Sequence, residues 1–313
     1  MMAGFPKVES TGTIKEVTVG TGDKAMAMGG ESAYPFHTFE GKMPHAPKIA
    51  MEIWDTAPTE WADSLNDLFK EVYGDPIAWA KKCLELGADG VMLTLASTDP
   101  NGDNAPAAQA VETVKKLSKE VSQPLIVWGV DSPAKDGEVL RAVAEAVDDR
   151  PLVLGPVVEG NYKQVGAGAI GYKHFVVAQS PIDINLAKQL NILLGNLGVK
   201  DEFILMDPSV GGLGYGMEYT YSVMERARMA ALVQGDDKLQ YPLFCNVGKE
   251  VWKTKEAKAP TEEEPTWGDA VKRGIAMESI TAASLLLAGA DIVVLRHPES
   301  VKAVRSYIDE MMG

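Results

Sequence analysis

The feature that most constrains this chain is an alternation, repeated eight times, of short apolar β-rich runs with longer runs of helical spacing. The strand-like runs fall at 48–54, 90–95, 125–129, 152–155, 174–177, 203–206, 241–245 and 292–295. Each is nearly continuously apolar, as a strand covered on both faces must be. Helix-type spacing occupies 76–86, 106–120, 137–147, 182–197, 218–234, 267–287 and 299–312, and less clearly the glycine-bearing stretch 161–170. Strands that alternate with helices make a parallel sheet, and eight such units close into a (β/α)8 TIM barrel. An open doubly wound sheet would want a glycine-rich turn after its first strand. Residues 54–61 instead read WDTAPTEW.

Local signals agree with this reading. Asp75-Pro76 places a capping carboxylate before a first-turn proline. Gly87-Ala88-Asp89 and Gly289-Ala290-Asp291 each end a helix just ahead of a strand. Two segments stand outside the repeat. Residues 12–34 alternate, turn at Gly20-Thr21-Gly22-Asp23 and return, which predicts a β-hairpin plugging the N-terminal bottom of the barrel. The chain therefore divides into an N-terminal extension, 1–46, and a barrel, 47–313, forming one domain overall. Residues 246–266 form a long charged connection expected at the C-terminal face, where barrels carry their function.

Charge and cysteine content exclude several classes. The net charge is −14 and the densest basic stretch, 249–258, is interleaved with Glu250 and Glu256, so nucleic acid and anionic membrane are not expected partners. Apolar runs fall short of the roughly 20 residues of a spanning helix, and residues 1–12 hold no signal-type apolar region, which points to the cytoplasm. The two cysteines, Cys83 and Cys245, cannot supply four thiolates to an iron–sulfur cluster or build a disulfide framework. Both read as buried small hydrophobes. His37, His45, His174 and His297 lack close ligand spacing, so no metal site is predicted.

The residues just past each strand form the candidate site. They are rich in Ser, Thr and Asn and poor in strong acids and bases, a profile suited to binding rather than proton abstraction. Thr98, Ser132, Asn161, Gly211, Gly212, Gly214 and Asn246 are the candidate ligand-facing positions, and no catalytic residue is assigned. The glycines of 211–216 could let backbone approach a broad flat or phosphorylated ligand, or simply shape a turn. Asp99, Asp131, Glu159 and Asp207 could form a carboxylate site, but capping and turn roles suit them better. Lys48 and Lys173 lie at the wrong strand ends for a Schiff base. His297, before a proline, is either a site residue or a helix cap.

The run MDPSVGGLGYGMEYTYSVMERARMAAL (206–232) resembles the small, or delta, subunit of the corrinoid iron–sulfur protein of the acetyl-CoA synthase/carbon monoxide dehydrogenase system. So do DPIAWAKKCLELGADGVMLTLASTDP (75–100), KDGEVL (135–140), NVGKEVWKTKEAK (246–258), GADIVVLRHPES (289–300) and GGESAYPF (29–36). The resemblance implies a barrel paired with a large subunit in a heterodimer. Cobalamin would lie at the interface with that subunit, and a [4Fe–4S] cluster on the partner chain only. It further implies a methyl carrier, serving a methyltetrahydrofolate methyltransferase and acetyl-CoA synthase in the reductive acetyl-CoA (Wood–Ljungdahl) pathway. This chain would then be a non-catalytic subunit. The alternative is a pterin-dependent corrinoid methyltransferase binding methyl-pterin in its own barrel mouth, for which Asp131, Asp207 and Asn246 would be remnants of an Asp/Asn set.

Overall fold

Residues 7–313 are described by a computed structural model. The first six residues of the N-terminal extension lie outside the described residues. Eight parallel strands close on themselves in the order in which the chain makes them: β3 (Lys48–Trp54), β4 (Gly90–Thr94), β5 (Leu125–Trp128), β6 (Val153–Val157), β7 (Phe175–Gln179), β8 (Ile204–Asp207), β9 (Leu243–Cys245) and β10 (Ala290–Leu295), with β10 hydrogen-bonded back to β3. Every expected strand run forms, shifted by at most two residues at its ends. The TIM barrel follows from the sequence alternation as expected.

The two-residue period of each strand sorts its side chains. In β3, Ile49, Met51 and Ile53 belong to the outer layer against the helices, whereas Ala50 points into the barrel. The inner cluster also holds Met92, Ile126, Trp128, Val153, Val177, Leu205, Phe244, Ile292 and Val294. Its lower end is closed by the hairpin β1 (Val17–Val19) and β2 (Met26–Met28), whose Val17, Val19, Met26 and Met28 join that cluster. The N-terminal plug is where the sequence places it.

Three segments differ from expectation. The stretch expected as a weak helix is a full one, α5 (Tyr162–Tyr172), because its glycines are packing sites. A β-carbon on Gly166 would meet Leu197 at 2.6 Å, and one on Gly168 would meet Ala144 at 3.0 Å. Residues 246–258, read as open loop, instead carry α8 (Val247–Trp252) and α9 (Lys255–Lys258). Asn246 and Thr254 cap them, and Val247, Val251 and Trp252 bury an apolar side that the charged residues had masked. The loop after β3 contains α1 (Asp63–Phe69), which packs Leu65 and Phe69 beside Trp61 and Trp79.

Candidate functional site

Continuing the inward parity one step beyond the apolar layer brings a polar layer to the C-terminal mouth. Glu52 and Trp54 come from β3, Thr94 from β4, Trp128 from β5, Gln179 from β7, Asp207 from β8, Asn246 just past β9 and Arg296 just past β10. Trp128 stacks on Phe244 at 5.2 Å, and Gly155 lies opposite it because a β-carbon there would sit 2.4 Å from the indole. The floor of the mouth is thus a flat aromatic pair.

Two cavities open above this floor. The larger, about 440 Å3, is lined among others by Glu52, Thr94, Asp99, Trp128, Asp131 and Arg296; the smaller, about 190 Å3, by Gln179, Asp207, Ser209 and Asn246. Trp128, Asp131 and Lys249 border both. The partition is an ion pair in which Lys249 of α8 reaches Asp131 past β5. Burial alone would lower the Lys249 ammonium, but the Asp131 carboxylate more than reverses this.

Glu52 is the centre of the larger cavity's network. Its carboxylate accepts from Arg296 Nε at 2.6 Å, Thr94 Oγ1 at 2.8 Å and Trp54 Nε1 at 2.9 Å. Burial pushes this carboxyl up, yet the guanidinium of Arg296 and the other donors bring it below the usual carboxylate range. Arg296 in turn lies 4.7 Å from the Trp61 ring. Glu278, on α10 (Ala270–Leu287), accepts the backbone N–H groups of Arg296 and His297 and fixes where β10 ends.

In the smaller cavity, Asp207 accepts from Gln179 Nε2 at 2.9 Å and from the Ser209 N–H at 2.8 Å. Burial pushes Asp207 up to about 6 despite those donors. Its turn role is therefore as expected, but one oxygen also faces the mouth.

The predicted ligand-facing residues divide. Asn246 lines the smaller cavity and caps α8. Ser132, half-buried, sits at the start of α4 (Pro133–Ala146). Gly214 is exposed with φ +77°. Thr98 and Asn161 are buried and turned to backbone: Thr98 donates to the Leu95 carbonyl, and Asn161 clamps the Val158 N–H and the Pro156 carbonyl. Gly211 and Gly212 are buried in the loop core, where a β-carbon on Gly211 would come 2.6 Å from the Gly216 carbonyl carbon. These residues are not brought together as one surface. His297 is a helix cap, accepting from the Glu299 N–H. Cys83 and Cys245 are buried, as expected.

The mouth is also richer in charge than the strand-end residues suggested. Glu52 and Arg296 are inward-facing, and the signal for Glu52 was an acid inside an otherwise apolar strand, KIAMEIW. No helix among the described residues is long and apolar enough to cross a membrane.

Known structures with this architecture include dihydropteroate synthase of Xanthomonas albilineans, which is 14% identical with a TM-score of 0.55, covering 86% of this chain and 94% of that one. The enzyme from Coxiella burnetii, solved with pteroic acid, is 12% identical with a TM-score of 0.54 over 96% and 100%. At such identities the likeness establishes the barrel alone. Sequence relatives are closer. The acetyl-CoA decarbonylase/synthase complex subunit delta of Archaeoglobus fulgidus is 34% identical over 98% of this chain and 70% of its own length. The Methanopyrus kandleri subunit is 33% identical over 93% and 72%. These relatives do not favour the methyltransferase alternative. Residues 16–306 match one family throughout, and the chain belongs to it: the CO dehydrogenase/acetyl-CoA synthase delta subunit family.

Proposed function

We propose that this chain is the small subunit of a cytoplasmic corrinoid iron–sulfur methyl carrier, and that its barrel mouth covers a cobalamin held by a large partner subunit. The [4Fe–4S] cluster would belong to that partner. The methyl group would come from methyltetrahydrofolate through a separate methyltransferase and leave to acetyl-CoA synthase. Family membership across residues 16–306 is the observation that carries this reading.

The residues present fit a covering role. The two cavities open side by side above the aromatic floor, so the ring would lie across the mouth while its peripheral carboxamides meet the polar walls. Carboxylates and amides at Glu52, Asp99, Asp131, Gln179, Asp207 and Asn246 can accept or donate hydrogen bonds to such groups. Bound cobalamin would supply the chemistry by accepting and releasing a methyl group at cobalt. What this chain contributes is position and exclusion of water. Ser132, Gly214 and Asn246 meet the ring side directly in this reading, whereas Thr98, Asn161, Gly211 and Gly212 act by holding the loops that carry the rim.

The test is purification of the chain with and without its large partner, measuring heterodimer mass and corrin absorbance. Co-elution with cobalt, and a corrin spectrum altered by this chain, are expected. A chain that stays monomeric beside a cobalamin-loaded partner would defeat the proposal.

A further inference from the structure

The motif GGESAYPF (29–36) takes no part in the barrel mouth. It follows the plug hairpin and leads the chain toward β3 at the opposite, N-terminal end of the barrel. Gly29 and Gly30 have φ of +83° and +81°, and a β-carbon on Gly29 would meet the Lys15 carbonyl oxygen at 2.0 Å. The turn they make lets the Gly30 N–H donate to the Ile14 carbonyl and the Ile14 N–H to the Glu31 carbonyl, each at 2.9 Å. The Ser32 N–H then donates to the Lys42 carbonyl, and Ser32 Oγ accepts the Lys42 N–H, both at 3.0 Å. Residues 32–42 are thus closed into a loop whose Ala33 and Phe36 are buried.

This backbone drives an acid inward. Glu31 is only 7% exposed and faces Asp291, at the start of β10, and Arg228, on α7 (Met217–Leu232). Arg228 is already engaged: its Nη2 donates to Asp291 Oδ2 at 2.5 Å and to the Gly289 carbonyl at 2.6 Å. Asp291 Oδ2 also accepts the Leu243 N–H at 2.6 Å. Two acids therefore share one cation. Glu31 Oε2 is buried without a hydrogen-bond partner among the described residues. The cavity beside it is about 10 Å3, room for one water at most. Were both carboxyls ionised, one buried charge would have no counter-ion.

We infer that Glu31 is held as the neutral acid and donates its proton to Asp291, making residues 29–43 a proton-dependent strap that fastens the N-terminal extension to the strand closing the barrel. Burial, and after it the Asp291 carboxylate, push Glu31 up to about 9, and Arg228 offsets only part of this. When the strap opens, Glu31 returns to an ordinary value near 4.5 and loses its proton. Opening is therefore least below about pH 4.5 and grows about tenfold per pH unit from there to about 9. Among the other groups packed on the strap, burial pushes the phenols of Tyr34, which faces Glu225 of α7, and of Tyr307 on α11 (Pro298–Met312), which meets Phe36, above their usual range. Burial also lifts the Cys245 thiol of β9, near Asp291 and Arg228, well above its own. His37, paired with Glu40 at 3.1 Å, and His45, paired with Glu16 at 2.6 Å, are unaltered by a change at Glu31 and cancel when variant and parent are compared.

Hydrogen–deuterium exchange of the full chain between pH 6 and 8 tests this, read at the Ile14, Gly30 and Ser32 amides and corrected for the intrinsic rate. Glu31→Gln keeps a donor for Asp291 without titrating. The ratio of its protection to that of the parent should rise about a hundredfold across the interval. Glu31→Met, also neutral and of similar size, should show the same rise, so the test stands if one of the two variants folds poorly. The Ala257 and Ala259 amides of α9 should not distinguish parent from variant at any pH. The infrared difference at pH 7, parent minus Glu31→Gln, should carry the carbonyl band of a protonated carboxylic acid. Parallel pH profiles in the parent and the folded variants would overturn the inference, as would a carboxylate band in place of the acid band.

Discussion

Lys249 spans the barrel mouth to Asp131, joining the segments after the seventh and third barrel strands and dividing the opening in two. Both side chains are partly open to solvent, at 33% and 46%. Such a pair organises the opening more than it stabilises the fold. Lys249→Met should cost less than about 1 kcal/mol in urea denaturation and converge with the parent chain in 1 M salt. A crystal structure of the variant should show one continuous cavity over Trp128. A loss above about 3 kcal/mol would mean the pair behaves as a buried one.

Glu52 and Arg296 should respond in the opposite way. Both side chains are almost wholly buried, and the guanidinium is sandwiched near Trp54 and Trp61. Glu52→Gln leaves that cation without a counter-charge, so a loss of about 3–5 kcal/mol is expected. Replacing both partners by Met should recover most of it, because desolvation of two charges is then avoided. Chemical denaturation of the two singles and the double closes the cycle. Additive losses in the double would refute the coupling.

The glycine loop separates two roles that the spacing alone left together. Gly211→Ala drives a β-carbon into backbone at Gly216 and Met217, so the loop must move; overpacking of this kind costs about 1–3 kcal/mol. Gly214→Ala meets no atom within 4 Å and pays only for φ +77°, about 1 kcal/mol. Thermal melts should rank Gly211→Ala as the more damaging. A variant with a bulky side chain at Gly214 should fold normally and, if the mouth covers a corrin as proposed, perturb that corrin's spectrum in the assembly. An unperturbed spectrum would remove Gly214 from the covered surface.

What was legible in the sequence follows from period. Strands buried on both faces announce themselves as continuous apolar runs, so β3 to β10 and the N-terminal plug could be placed from residues such as Val17, Met28, Val91 and Val293. The helices α8 and α9 were hidden because Val247, Val251 and Trp252 are spaced among Lys249, Glu250 and Lys253, and tertiary burial decided their state. The site was only half visible. Taking residues after each strand finds Asn246 and the loop glycines, but the polar layer belongs to the inward register within the strands. Gln179 ends β7 on that register, and Glu52 occupies it inside β3. The pairing of Glu52 with Arg296 joins positions 244 residues apart, which no local pattern encodes.

Asp207 yields a pH dependence with a definite sign. Burial pushes its carboxyl to about 6, against 3.8 for the unperturbed group. The native state therefore binds this proton more tightly than the unfolded chain does. Its contribution is fully favourable below about 4, falls as pH rises from about 4 to 6, and levels off above that range. A shift of about two units corresponds to roughly 3 kcal/mol at neutral pH as an order of magnitude. Asp207→Asn keeps an acceptor for the Ser209 N–H and can exchange partners with Gln179, so it removes the charge with little loss of hydrogen bonding. The variant should match the parent near pH 4 and be the more stable at pH 7, by an amount that grows across the interval. Asp136, also pushed up to about 6 by burial, slopes the same way in both proteins and cancels in the difference. A difference independent of pH would mean that Asp207 does not titrate in this range. If the chain serves a corrinoid methyl carrier as proposed, the same variant in that assembly should retain a substantial methyl-transfer rate, because a covering surface needs no proton transfer. A loss of roughly 10⁴-fold with cobalamin still bound would assign Asp207 to acid–base catalysis instead.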